Sequence, residues 1–276
     1  MDRSFCLIGG DGRQLVLAEL LTQSGARVDT LALSDAAPDF AVAAWADCVL
    51  LPMPLEGAPG RLFAPLHPAP ISLPAVLDVL RPRQLLFAGK VGPTVQSMAR
   101  ERNLTLHDYL LRPELAIANA VPTAEGALAL AMEALPITLH QSRVLVTGFG
   151  RVGRCTAQRF RALGAEVTVA ARRPAQLALA ESMDCRPLPF DGLAGDFDLV
   201  VNTVPSIILT RPVLEKLGRP VLLELASAPG GIDMTAAAEL GLTHIPAPNL
   251  PGKVAPVTAA RAIQQTLYHM LQELDP

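Results

Sequence analysis

Cysteine is sparse in this 276-residue chain, and no two cysteines stand close together. Cys6, Cys48, Cys155 and Cys185 are widely spaced in apolar or helical contexts. They give neither a disulfide framework nor zinc-ligand spacing, so no metal site is expected and the pattern suits a reducing cytoplasm. Charge of either sign is also short. With 23 Lys and Arg against 26 Asp and Glu, the net charge is −3, which argues against a broad footprint for nucleic acid or an anionic membrane. Long apolar runs are missing too. The longest uncharged stretch, Leu62 to Leu77, is broken by Pro65, Pro68, Pro70 and Pro74 and falls short of the roughly 20 residues a membrane span needs. The opening MDRSFCLIGG enters a strand-like run at once and lacks the apolar stretch and cleavage site of a secretion signal. There is no solenoid repeat or low-complexity tract. A hydrophobic content of 50% and a charged content of 18% exclude disorder, and the length suits two domains at roughly 100–200 residues each.

What is present is a rhythm of strand, turn and helix. Short Val-, Ile- and Leu-rich runs end in Gly, Pro or Asp and lead into amphipathic stretches, the pattern of a parallel sheet covered by helices. In the first half the strands are expected at Phe5–Ile8, Val28–Leu33, Cys48–Leu51, Leu85–Ala88 and Leu104–His107, with a helix at Arg13–Gln23. The Pro- and Gly-rich stretch from Pro52 to Pro74 cannot be a continuous regular element. The second half repeats the rhythm with strands at Val144–Thr147, Glu166–Ala170, Leu199–Asn202, Val221–Leu225 and Thr243–Ile245. Helices fall at Arg151–Leu163, Pro174–Met183, Arg211–Leu217 and Met234–Leu240. Two further helices read as connectors. One opens at Pro122, with Thr123 and Glu125 in its first turn, and runs to Leu135; the other runs from Ala255 to Leu274. The expected fold is α/β: two Rossmann-like, doubly wound parallel-sheet domains joined by long helices, with a crevice between them. The expected divisions are a flavodoxin- or Rossmann-like substrate domain over 1–118, a nucleotide-binding domain with its leading connector helix over 119–254, and a C-terminal helix over 255–276 that packs back on the first domain.

The segment Arg143-Val-Leu-Val-Thr-Gly-Phe-Gly-Arg-Val-Gly-Arg154 carries the most information. Gly148, Gly150 and Gly153 form G-x-G-x-x-G after a strand and at the head of a helix, the context a dinucleotide fingerprint requires. Gly148 permits the tight turn, Gly150 lets backbone approach a pyrophosphate, and Gly153 lets helix and strand pack closely. Phe149, Arg151 and Val152 complete the turn. An NAD site places an acid about 20 residues after the first Gly; here the second strand ends in Ala171-Arg172-Arg173. An arginine suits a 2′-phosphate, so NADP is expected over NAD, with Arg172 the main contact and Arg173 or Arg151 assisting. NAD stays possible. From Arg143 to Arg173 there are seven arginines against one acid, Glu166, so positive charge gathers around the fingerprint. Thr203, Val204 and Pro205, after one strand, and Ala226, after the next, are expected under the ribose and nicotinamide end.

Read together, Gly9-Gly-Asp-Gly-Arg-Gln14, Asn119-Ala-Val-Pro-Thr-Ala-Glu-Gly126, the GFGRVG turn, Asn202-Thr-Val-Pro-Ser206, Leu225-Ala-Ser-Ala-Pro-Gly-Gly231 and Leu250-Pro-Gly-Lys-Val-Ala-Pro256 resemble the dipicolinate synthase A-subunit family nearly end to end. The resemblance implies NADP-dependent oxidation of a dihydrodipicolinate-type precursor to dipicolinic acid. It also implies a partner, the flavoprotein-like B subunit, and the cytoplasm of a sporulating cell as setting. The architecture is also similar to the D-2-hydroxyacid dehydrogenases, but the positions of that family's catalytic Arg and His fall in Ala226-Ser-Ala-Pro229 and near Asn249-Leu-Pro-Gly-Lys253, where neither residue stands.

Aromatising a dihydropyridine removes a hydride and a proton, so the site needs donors for a dianion and a proton acceptor. Arg13, in the first βα turn, is the leading carboxylate contact, and Thr123 and Ser227 offer hydroxyls. Lys253 is the second cation and, with Asp11 and Glu125, a catalytic candidate. Asp11 and Glu125 each have a plain alternative, as a helix cap and as a capping-box partner. Two other functions stay open: a non-catalytic NADP(H)-binding subunit supporting a catalytic partner, and another NADP-dependent reductase of shikimate or hydroxyacid dehydrogenase type. For the shikimate type, Lys90 is a weak match. A homo-oligomer is possible.

Overall fold

The computed structural model describes residues 3–274. The chain forms two units, Met1–Ala118 with Ala255–Pro276, and Asn119–Val254. Unit 1 begins with β1 (Ser4–Ile8), α1 (Gly12–Gln23), β2 (Arg27–Leu31) and β3 (Cys48–Leu50). It continues with β4 (Glu56–Ala58), β5 (Arg61–Leu62), α2 (Leu73–Asp78), β6 (Leu85–Ala88), α3 (Pro93–Glu101) and β7 (Leu106–Asp108). The main sheet has the order β2-β1-β3-β6-β7 and is wholly parallel. The inner strands are short, apolar and covered, as parallel strands must be: Phe5 to Ile8 and Cys48 to Leu50 are all buried, while the edge strands β2 and β7 are more polar and only partly covered. The order reverses direction between β1 and β3, the switch point at which open α/β sheets admit ligands. The Pro-rich stretch between β3 and α2 is broken, as expected, and holds a small antiparallel hairpin of β4 and β5.

The helix α4 (Pro113–Ala134) begins in unit 1 and ends in unit 2. Here the expected start at Pro122 is corrected. Pro113 opens the helix with Glu114 in the first turn, and Pro122 lies in its interior. A proline there removes one backbone donor. The helix runs on because small apolar residues on its later turns, Ala127 and Ala131, are locked into the unit 2 core.

Unit 2 continues with β8 (Arg143–Thr147), α5 (Arg151–Ala162), β9 (Glu166–Ala171), α6 (Pro174–Glu181), β10 (Arg186–Pro189) and β11 (Leu199–Asn202). It is completed by α7 (Arg211–Leu214), β12 (Val221–Glu224), α8 (Met234–Glu239), β13 (His244–Pro246) and α9 (Leu250–Val254). Its sheet runs β10-β9-β8-β11-β12-β13, again parallel throughout. This is the dinucleotide-binding order, reversing between β8 and β11. The apolar runs predict five strands and six are present. The extra one, β10, carries Pro187 and Pro189; it is tolerated because it lies at the sheet edge, where a missing donor is cheapest. The Leu250–Pro256 segment holds the short helix α9.

The chain then returns to unit 1 with α10 (Pro256–Leu274). Ala260, Ile263, Leu267 and Leu271 of this helix are buried in one cluster with Leu17 and Leu21 of α1 and with Phe5 and Leu7 of β1. Burying an aliphatic side chain of this size stabilises by about 1.5–3 kcal/mol, so α10 is a major part of this core. Outside the cluster, Arg112 bridges Glu114 and Glu273.

Candidate functional site

In unit 2 the fingerprint follows β8 directly. Gly148 takes a φ of +88°, a left-handed turn that only glycine adopts freely. A side chain at Gly153 would place its Cβ 2.9 Å from the Gly148 carbonyl carbon, closer still to its oxygen, and 3.1 Å from Thr203 Oγ1. Helix and turn therefore pack backbone to backbone. Gly150 differs: a Cβ there would meet no atom within 4 Å. Gly150 is also the N-cap of α5 and supplies no side-chain cap, so the first N–H groups of the helix are left for water or a ligand. An open face at the middle glycine above an uncapped helix start is the cradle a pyrophosphate needs. The residues present fit a dinucleotide. Phe149 is buried, and its carbonyl accepts from Gln176 Nε2 at 3.2 Å.

The strands are parallel, so the segments that follow them emerge at one edge of the sheet. The structure brings together there the fingerprint, Arg172 and Arg173 after β9, Thr203 to Pro205 after β11, and Ala226 and Ser227 after β12. Thr203 Oγ1 donates to the Thr147 carbonyl at 2.7 Å, tying the end of β11 to the end of β8. Arg151, Arg172 and Arg173 are exposed, and among the described residues none of them pairs with a carboxylate.

Sequence reasoning missed a polar network at this edge. Thr147 and Asn202 are fully buried. Thr147 Oγ1 donates to Asn202 Oδ1 at 2.6 Å, and Asn202 Nδ2 donates to Glu224 Oε1 at 2.6 Å. The Glu224 carboxylate also accepts from Ala226 N at 3.0 Å and Gly231 N at 2.8 Å. One carboxylate thus holds both ends of the 226–231 segment, and charge-assisted bonds of this kind are the stronger ones. The signal in the sequence is an acid at the C-terminal end of a buried strand. It is masked by the apolar Leu225 that follows, which reads as a continuation of β12.

The catalytic candidates fall into separate settings. In unit 1, Asp11 caps α1 through Arg13 N and also pairs with the Arg13 side chain, Oδ1 to Nε and Oδ2 to Nη2, both at 2.8 Å. Arg13 Nη2 donates as well to the Met53 carbonyl. The Arg13 side chain is only 5% exposed, so two of its three nitrogens are committed inside the protein. Nearby, Tyr109 is buried with its hydroxyl on the Leu51 carbonyl at 3.0 Å, and burial pushes its pKa well up. His107 stacks on Phe87 with ring centroids 5.3 Å apart, and burial lowers its pKa.

In unit 2, the capping-box reading of Glu125 is corrected, because its residue lies mid-helix once α4 starts at Pro113. Its carboxylate is largely exposed and stands 3.6 Å from Arg159 Nε. Thr123 Oγ1 donates within its own helix to the Asn119 carbonyl at 2.7 Å. Lys253, on α9, and Ser227 are exposed. Among the described residues there is no cluster of His, Cys, Asp and Glu able to hold a metal.

The chain resembles known proteins along nearly its whole length. Residues 4–110 match the family described as the N-terminal domain of the dipicolinate synthase A subunit, and residues 122–217 match the D-isomer specific 2-hydroxyacid dehydrogenase NAD binding domain. The dipicolinate synthase A subunit of Bacillus subtilis is 33% identical over 97% of this chain and 95% of its own length. The crystal structure of the dipicolinate synthase A subunit from Bacillus halodurans superposes with a TM-score of 0.88 at 29% identity, covering 98% of this chain and 97% of that one. A D-lactate dehydrogenase from Escherichia coli shares the fold at a TM-score of 0.66 and 12% identity, covering 99% and 98% of the two chains.

Proposed function

The chain belongs to the dipicolinate synthase A-subunit family, and from that premise we propose that it oxidises a dihydrodipicolinate-type precursor to dipicolinic acid with NADP. The proposed setting is the cytoplasm of a sporulating cell, and the proposed partner is a flavoprotein-like B subunit. The observation that carries this reading is the edge of the unit 2 sheet. An open Gly150 face, an uncapped α5 and two unpaired arginines stand together where an NAD site would have an acid.

A bound nicotinamide nucleotide would supply the hydride acceptor. The backbone N–H groups at the head of α5 hold the pyrophosphate. Arg172 takes the 2′-phosphate, with Arg173 or Arg151 beside it. Thr203, Val204, Pro205 and Ala226 line the nicotinamide end, and Glu224 fixes the segment to which Ala226 and Ser227 belong. For the substrate, Arg13 is the proposed carboxylate anchor in unit 1. Asp11 is better suited to holding Arg13 than to taking a proton, because both its oxygens are spent on that arginine. Thr123 and Ser227 are the proposed hydroxyl donors in unit 2. Lys253 and Glu125 are the exposed groups able to move a proton.

The test is direct. The purified chain is mixed with NADP and dihydrodipicolinate, with and without its partner, and NADPH and dipicolinate are followed. Matched formation of both products by the chain alone is the expected result. Absence of turnover in both mixtures overturns the reading. NADP binding with turnover only when the partner is added assigns the chemistry to the pair.

A further inference from the structure

The only Trp of the chain is 74% exposed. Trp45 ends a short turn over Phe40–Trp45, just before β3. The Arg81 guanidinium lies over its ring, 4.0 Å from the centroid, a cation–π contact that fixes both groups. The two belong to one built surface. Gln84, which is buried, accepts from Arg81 N at 2.6 Å through Oε1 and donates through Nε2 to the carbonyls of Ala43 and Ala46, at 2.8 and 2.6 Å. One amide therefore ties the 40–46 turn to the 81–84 turn. Between them lies a groove of about 680 Å³.

The charge in the groove is one-sided. Arg81 and Arg83 are exposed, and among the described residues neither meets a carboxylate. The one acid in the wall, Asp47, is taken up by Ser4, whose N and Oγ donate to it at 2.8 and 2.7 Å. The groove sits at the amino ends of β3 and β6, which begin at Cys48 and Leu85. Open α/β sheets take small ligands at the opposite, carboxyl ends. An exposed Trp packed under an Arg, fixed in place from below, has the composition of a protein-binding hot spot.

We propose that the Trp45–Arg81–Arg83 groove is the docking surface for the partner protein of the synthase, which enters it with an acidic segment. This rests on the family reading, under which the chain works with a second, different subunit. Trp45 supplies the apolar anchor, and the two arginines supply the charge that selects carboxylates.

Trp45 is also its own probe, because no other Trp contributes to the emission of this chain. The full chain is titrated with the purified partner, and the signal of a Trp45→Phe chain under the same conditions is subtracted. The expected result is a shift of Trp45 emission to shorter wavelength and loss of iodide quenching as the complex forms. Affinity should fall with added salt. Trp45→Ala and Arg81→Glu should each weaken the complex by about tenfold or more, with NADP affinity unchanged. A complex that forms with wild-type affinity in both variants and leaves Trp45 emission unmoved overturns the surface while sparing the partnership. Failure of the wild-type chain to bind at all overturns the partnership, and the surface with it. A shift that follows the concentration of the chain alone assigns the groove to a second copy and overturns the proposal.

Discussion

Two neighbouring glycines of the fingerprint should fail in opposite ways. In Gly153→Ala the new methyl would sit 2.9 Å from the Gly148 carbonyl carbon and nearer to its oxygen. Comfortable carbon contacts lie at roughly 3.5–4.0 Å. The obstructing atoms are backbone, so the turn itself must move. Overpacking of this kind costs about 1–3 kcal/mol, and at roughly 4 °C per kcal/mol for a unit of this size the melting point should drop by about 4–12 °C. In Gly150→Ala the methyl meets nothing within 4 Å, and φ is −79°, which alanine adopts without strain. Exchanging Gly for Ala at an N-cap costs below about 1 kcal/mol, so stability should barely change. The methyl nevertheless fills the space a pyrophosphate would approach, and NADPH affinity should fall about tenfold, or 1.4 kcal/mol. Thermal melts followed by circular dichroism, and NADPH titrations by calorimetry, read the two quantities separately. If Gly150→Ala binds NADPH like the wild type, the cradle is not where the nucleotide lies. If the two variants lose stability equally, the distinction between packed and open glycine is wrong.

Three further outcomes follow from the same geometry. Arg172→Asp should weaken NADP binding far more than NAD binding, because it removes the cation proposed for the 2′-phosphate; equal loss of both would refute that assignment. Glu224→Gln places an NH₂ group against the Gly231 N–H, leaving a donor unpaired at a cost of about 1–3 kcal/mol. Hydrogen exchange should then rise over residues 226–231, and unaltered exchange there would remove Glu224 as the clamp. His107 has its pKa lowered by burial, so between its folded value and the unfolded value near ~6.5 the unfolded chain binds more protons. Its contribution to stability is fully present above that unfolded value and is lost as pH falls below it. Denaturant titrations across that window should show His107→Phe flattening the slope; a slope identical to wild type would show that His107 does not titrate on unfolding.

Much of the fold is legible because parallel strands are buried on both faces and so are written as unbroken apolar runs. Leu85–Ala88 and Leu199–Asn202 fall where expected. β10 is not legible, since its two prolines look like loop and only its edge position makes them harmless. The start of α4 is misplaced for the converse reason. Pro122 is a good helix opener in isolation, and only burial of the later turns in the unit 2 core carries the helix through it. In the fingerprint, Gly148 and Gly153 can be read because one answers a left-handed turn and the other a close backbone approach, whereas nothing in the chain itself demands Gly150. The Glu224 clamp cannot be read, because its meaning comes from three partners that only the fold gathers on one carboxylate: Asn202 on the neighbouring strand, and Ala226 and Gly231 in the segment after β12. The Asp11–Arg13 pair lies between these cases. The cap is visible in the sequence, but the double hydrogen bond that occupies the carboxylate is not.

The return of α10 to unit 1 bears on how the chain is made. Unit 2 is contiguous, so all its strands and helices are available once Val254 has been synthesised. Unit 1 is not: Ile263, Leu267 and Leu271 cover Leu17 and Leu21 from the other end of the chain. Until those residues leave the ribosome, one face of α1 stays bare and the nascent first half holds exposed apolar surface. Closing so long a loop is slow, and an open core of this kind invites aggregation. The second unit to be translated is therefore the first able to finish folding, and the first must wait for it.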